Sequence, residues 1–231
     1  MRIGIIGAME EEIRDLRAEM QIEREETVAD MRFLVGTLRG RSAVLVQCGI
    51  GKVNAGVCAQ TLIDRFGARE IVNIGVAGSL DARIDIGDIV ISTEAVQHDF
   101  DASPIGFHKG EIPYTGLCAF PADEGLRERA KKAAAECAGE VRCFEGRICS
   151  GDQFIASRAQ KEAIAAQFGG LCCEMEGAAI AQVCHLNQVP WVVIRAVSDK
   201  ADDSEEMSFE RFKEQAARRG AAIVLALAEQ E

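Results

Sequence analysis

The chain has 231 residues, 48% hydrophobic and 27% charged, a balance that excludes disordered, collagenous and low-complexity classes. Asp plus Glu number 37 against 26 Lys plus Arg, and the net charge of −11 argues against a nucleic-acid binder or a protein docked on anionic lipid. No apolar run is long enough to span a bilayer, and the 9 cysteines, odd in number and without a Cys-x-x-Cys pair, read as small buried hydrophobes rather than a disulfide or zinc framework.

The opening residues, Arg2 to Ile6, form a short apolar strand closed by Gly7. They do not resemble a signal peptide, so a cytoplasmic location is expected. A helix follows, with Met9, Ile13, Leu16 and Met20 on one face. Met31–Leu38 and Ser42–Cys48 read as a hairpin turning at Arg39-Gly40. Val53–Phe66 is helical and Glu70–Ile74 an apolar strand that ends in a Gly75-to-Gly78 turn. Asp88–Val96 is a strand, and Gln97–Pro121 is a long loop of the kind that often carries function. Glu124–Cys137 is a helix, Arg142–Ser150 a strand, Arg158–Phe168 a helix and Gly177–Cys184 a helix of small residues. Trp191–Val197 is an apolar strand and Phe209–Ala228 the closing helix. Alternating strands and helices, with strands apolar on both faces, predict an α/β fold: a three-layer αβα sandwich around a twisted mixed sheet. No linker or repeat divides residues 1–231, so a single domain is expected.

Ligands of open α/β sheets bind beyond the carboxyl ends of the strands, and three such turns carry unusual acids. Glu10, Glu11 and Glu12 occupy the first turn of the first helix. Capping accounts for Glu10 and Glu11; Glu12 is either a cap or a functional carboxylate that the helix dipole keeps ionised. Ser198-Asp199 follows a buried strand and reads as a turn former or a catalytic acid. Arg195 lies inside that strand and needs a carboxylate partner from elsewhere. Glu174 and Glu176 sit in small, apolar sequence, and Glu176 has no basic neighbour one helical turn away. Glu176 therefore reads as a buried acid that binds a polar ligand. His98, His108 and His185 show no metal-ligand spacing, and no Gly-x-Ser-x-Gly elbow is present.

Gly4-Ile-Ile-Gly-Ala-Met-Glu-Glu-Glu12, Gly49-Ile-Gly-Lys-Val-Asn54, Ser150-Gly-Asp-Gln-Phe-Ile155, Glu174-Met-Glu176 and Val193-Ile-Arg-Ala-Val-Ser-Asp199 stand in this order along the chain. Together they resemble the bacterial 5′-methylthioadenosine/S-adenosylhomocysteine nucleosidases of the nucleoside phosphorylase superfamily. The resemblance runs from residue 2 to about residue 228. It implies a homodimer that hydrolyses the N-glycosidic bond of adenine nucleosides, without metal or organic cofactor. It implies that Glu12 is the base activating water and Asp199 the acid protonating adenine N7, with Ser198 beside it. Glu176 would bind the ribose hydroxyls next to the Met175 backbone. Phe154 would stack on adenine, and the Ile155 backbone would read its edge. Arg195 would help place the water and the sugar-binding acid. Met9, Ile50, Ala77 and Gly78 would line the pocket. Phe107, with Ile105 and Pro113, would belong to a loop, residues 100–114, that completes the neighbour's 5′ pocket. Two departures stand out: Val76 replaces the Ser of the best-known members, and Ala102 and Ile105 replace bulkier loop residues.

The chemistry asks for two acids in opposed environments. An aspartic acid ordinarily titrates near about 3.9, so the acid that protonates adenine needs burial or the substrate to hold its proton. The glutamates at the nucleophile turn favour water over phosphate. Two rival readings are an enzyme acting on another purine nucleoside, such as aminodeoxyfutalosine, and a nucleoside sensor without turnover.

Overall fold

The computed structural model describes residues 1–137, 141–201 and 205–230. The elements in chain order are β1 (Ile3–Gly7), α1 (Glu10–Glu19), β2 (Met20–Val28), β3 (Met31–Leu38), β4 (Arg41–Gln47), α2 (Lys52–Asp64), β5 (Glu70–Ser79) and β6 (Ile89–Gln97). They continue with β7 (Phe120–Pro121), α3 (Glu124–Cys137), β8 (Cys143–Ser150), α4 (Arg158–Phe168), β9 (Cys172–Glu174), α5 (Gly177–Leu186), β10 (Trp191–Asp199) and α6 (Glu205–Glu229).

Successive strand side chains point to opposite faces, and here that alternation fills two cores. Val44 and Val46 of β4 face one core, while Ala43 and Leu45 face the other. In β10, Trp191, Val193 and Val197 face the first core, and Val192, Ile194 and Ala196 the second. Helices α2 and α5 cover the first face through Ala55, Cys58, Leu62, Ile180 and Cys184. Helices α1, α3 and α6 cover the second through Ile13, Leu16, Leu126, Val224 and Leu227. Each such aliphatic side chain, when fully buried, contributes about 1.5–3 kcal/mol. The result is the expected mixed sheet between helical layers.

The sheet runs β10-β6-β8-β9-β5-β1-β4-β3-β2, with β7 beside β6. Strand β10 also pairs with β5, so β5, β10, β6, β8 and β9 close into a ring. Strands β1, β4, β5 and β10 run parallel to their partners in this set. Their carboxyl ends therefore meet on one side of the sheet. Two elements differ from the sequence expectation in kind: β2 and β9 are strands in polar or very short segments, held by pairing with β3 and with β5 and β8. Two others are longer: β5 and β10 continue through Ser79 and Asp199, because the two strands pair as far as Gly78 and Asp199, and β9 pairs with Ser79.

Candidate active site

A cavity of about 610 Å³, counting its open mouth, lies at these carboxyl ends. Its walls come from the turn after β1 (Ala8, Met9, Glu12), Ile50 after β4, and Val76, Ala77 and Gly78 of β5. The segments after β8 and around β9 supply Gln153, Phe154, Ile155, Cys173, Glu174, Met175 and Glu176. Ser198, Asp199 and Phe209 complete the wall.

Glu12 is buried at the third position of α1. One carboxylate oxygen accepts the N–H groups of Ala8 at 2.6 Å and Met9 at 3.0 Å, and the other accepts the Val76 N–H at 3.0 Å. Glu12 thus caps its own helix and also reaches across to β5. Burial pushes its carboxyl above the usual range, while the Arg195 charge and the N–H bonds from Met9, Val76 and Ala8 oppose the rise. Desolvation is the largest of these influences, and it makes the ionised carboxylate a stronger base. Glu10 and Glu11 serve the surface, pairing with Arg17 and Lys213.

Arg195 is 1% exposed and has its carboxylate partner in Glu174. Its guanidinium also donates to the Asn73 side chain at 2.5 Å and to the Ile194 carbonyl at 3.2 Å. Glu174 accepts in addition from the Ser150 hydroxyl and from the Glu176 and Gly177 N–H groups. Glu176, two residues on, has no such cation. It accepts the Gly51 N–H at 2.8 Å and otherwise faces the cavity. Burial, and then the Glu174 charge beside it, push its carboxyl up to about 8, against the pull of Arg195 and the Gly51 N–H.

Asp199 ends β10 at a bulge, where the pairing register slips between Val197 and Asp199 and sets Asp199 opposite Gly78. Its carboxylate accepts the Ser198 hydroxyl at 2.7 Å and the Ala201 N–H at 2.9 Å. The tip of β5 therefore runs between the two candidate catalytic acids, with the Val76 N–H on Glu12 and Gly78 opposite Asp199. On the outer wall Phe154, 51% exposed, meets Phe209 edge-to-face with ring centroids 5.6 Å apart. Such a half-open aromatic pair suits a planar base.

The model of the phosphorylase superfamily matches residues 2–229. The chain is 42% identical over its full length to the 5′-methylthioadenosine/S-adenosylhomocysteine nucleosidase of Shewanella oneidensis, of which it covers 97%. The chain belongs to this nucleosidase family, within the phosphorylase superfamily. Among solved structures, the Neisseria meningitidis nucleosidase in complex with methylthio-immucillin-A aligns with TM-score 0.95 and 38% identity, over 99% of this chain and 98% of that one. A futalosine hydrolase of Helicobacter pylori aligns with TM-score 0.93 and 34% identity, over 98% of this chain and 97% of that one.

Of the residues that the family resemblance singles out, Met9, Glu12, Ile50, Ala77, Gly78, Phe154, Ile155, Met175, Glu176, Ser198 and Asp199 all line the one cavity. Arg195 does not; it lies behind the wall and its direct partner is Glu174, not the sugar-binding candidate. Phe107 also lies away from this wall, half-buried against Tyr114 in the long loop. Ala8, Gln153, Cys173 and Phe209 line the cavity without having been singled out. Phe209 carried a usable signal, an aromatic near the start of the helix that follows the Ser198-Asp199 turn.

Proposed function

We propose that this chain hydrolyses the N-glycosidic bond of 5′-methylthioadenosine and S-adenosylhomocysteine, and of 5′-deoxyadenosine, releasing adenine and the 5-substituted ribose. One observation carries the choice of water over phosphate: the cavity wall holds the carboxylates of Glu12, Glu174, Glu176 and Asp199 and no Lys, Arg or His side chain among the described residues. An anionic nucleophile would find no cationic side chain on that wall to bind it, and would face the Glu12 carboxylate. Arg195, behind the wall, is already committed to Glu174 and Asn73.

In this reading adenine packs against Phe154, with its edge on the Ile155 backbone. Asp199 gives its proton to N7, so the base leaves neutral as the N9–C1′ bond breaks. Glu12 takes a proton from the water whose oxygen bonds to C1′. Acid and base steps of this kind are each worth about a hundredfold or more. Glu176 accepts the ribose hydroxyls beside Met175, and Met9 and Ile50 meet the 5′ side. Arg195 acts from behind, anchoring Glu174 and easing the ionisation of Glu12 and Glu176. The reaction needs no cofactor and no metal. Residues 1–231 act as one hydrolase domain in the cytoplasm, serving methionine salvage and removal of the methyl-cycle by-product.

The reading extends to a homodimer in which loop 100–114, with Phe107, completes the neighbour's 5′ pocket. Ile105, Tyr114, Val53 and Leu186 are exposed apolar side chains, at 73%, 95%, 77% and 66% exposure, and fit such a contact. A second substrate class, a futalosine-type nucleoside, is favoured by the fold similarity to the Helicobacter hydrolase. Adenine release from methylthioadenosine, adenosylhomocysteine and aminodeoxyfutalosine, with and without phosphate, tests the proposal. Turnover of the first two without phosphate supports it. Phosphate-dependent turnover, or binding without release, overturns it.

A further inference from the structure

A second layer of polar bonds lies outside the cavity wall and converges on Glu176. The Gly51 N–H that donates to Glu176 belongs to a residue at φ +99°, a left-handed conformation that favours glycine. Gly51 is the N-cap of α2 and, being glycine, offers that helix no side-chain capping oxygen. The next N–H, that of Lys52, donates to the Asp152 carboxylate at 2.8 Å, from a loop 100 residues away. The Asp152 N–H donates in turn to one Asp99 oxygen at 2.8 Å, and the Lys52 ammonium donates to the other at 2.6 Å. The same ammonium reaches the Gln97 side chain at 3.1 Å, and Gln97 donates to Gln182 of α5 at 2.5 Å. Helix α5 is the one that Glu176 itself precedes as N-cap.

Asp99 therefore closes a clamp on three loops: after β4, after β6 and after β8. The pair it forms with Lys52 is shielded, at 14% and 17% side-chain exposure, so it holds geometry better than a solvated surface pair. Only one N–H is delivered to Glu176 by this clamp, and its direction depends on where Lys52 and Asp152 hold the Gly49-Ile50-Gly51 turn.

We propose that Asp99 is a positioning residue for Glu176, acting through Lys52, Asp152 and the Gly51 N–H to set the carboxylate that receives the ribose hydroxyls. This rests on the reading of Glu176 as the ribose-binding acid. Asp99→Asn keeps an acceptor for Lys52 but turns an amide toward the Asp152 N–H. Lys52→Met removes the ammonium from the other side. Lys52→Arg keeps a cation and should restore most of the wild-type behaviour.

The test is a double-mutant cycle on methylthioadenosine turnover, with Asp99→Asn, Glu176→Gln and both together. A clamp that acts on Glu176 predicts that Asp99→Asn raises KM about tenfold with a smaller change in kcat, and that the same change made on Glu176→Gln moves KM by less than about twofold. Lys52→Met serves in the same cycle should Asp99→Asn fail to fold. Effects that multiply independently, or an unchanged KM in Asp99→Asn, overturn the inference and leave the proposed function standing. A wild-type enzyme that releases no adenine overturns both.

Discussion

Arg195 is bound by Glu174 and not by Glu176, although the two acids stand two residues apart. That separation leaves the site with one wall acid, Glu174, tied to the buried Arg195 and a second, Glu176, that faces the cavity without that ion pair. Breaking a buried ion pair by removing one partner costs about 3–5 kcal/mol, because the remaining charge is stranded. Glu174→Gln should therefore lower the denaturation midpoint strongly and abolish turnover. A variant with near wild-type stability would show that Arg195 has another partner.

Glu176→Gln should change how stability depends on pH. The Glu176 carboxyl lies near 8 in the folded chain against an ordinary 4.5, so between those values the native state binds a proton that the unfolded chain has released. Stability linked to this group then falls as pH rises through that window. Glu176→Gln should flatten the fall and leave the variant relatively more stable near pH 8 than near pH 5. Denaturant melts of both proteins across this range check it. Parallel profiles would mean that Glu176 is ionised throughout.

The ribose reading makes a separate demand on the same residue. A buried acceptor left without its hydroxyl partners is penalised. The 2′-deoxy analogue of methylthioadenosine should lose about a hundredfold or more in kcat/KM relative to the riboside, and most of that difference should vanish in Glu176→Gln.

Phe154 and Phe209 form the outer aromatic wall. Stacking of a base on an aromatic ring is worth about 1–3 kcal/mol, so Phe154→Ala should raise KM about tenfold and change kcat less. Initial-rate kinetics on methylthioadenosine decide it, and an unchanged KM would remove the stacking role.

Gly75 stands against both the Glu12 carboxylate and the Arg195 guanidinium. A Cβ there would stand 2.8 Å from a Glu12 carboxylate oxygen and 3.1 Å from the Arg195 guanidinium. Gly75→Ala should displace the Glu12 carboxylate, and displacements of about 1 Å can cost about a hundredfold in rate. Nucleoside binding measured by calorimetry should survive better than kcat does.

Much of this site was legible in sequence, because apolar strands ending in acids mark the ligand side of an α/β sheet. Asp199 stood out in this way, Glu12 by its place in the first turn of the helix after β1, and Glu176 by the lack of a basic residue one helical turn away. The partition between Glu174 and Glu176 was not legible. Both are acids in the same apolar stretch, and only the fold decides that Arg195, 21 residues later in sequence, meets the first. Strand β2 was missed because Gln21, Glu23, Glu25 and Glu26 give it no apolar alternation; it is an edge strand whose charges face water, held by β3 alone. The turn at Gly75–Gly78 proved to be strand because β10 pairs along it, a long-range bond that local pattern does not carry. Phe107 stood out by family likeness and lies away from the wall of its own chain.

The division of labour between Glu12 and Asp199 is tested most directly by adenine release from methylthioadenosine in Glu12→Gln and Asp199→Asn, with nucleoside binding measured alongside. Loss of at least about a hundredfold in kcat from each, with binding retained, is the predicted result. Turnover within a few fold of wild type in either variant would contradict it.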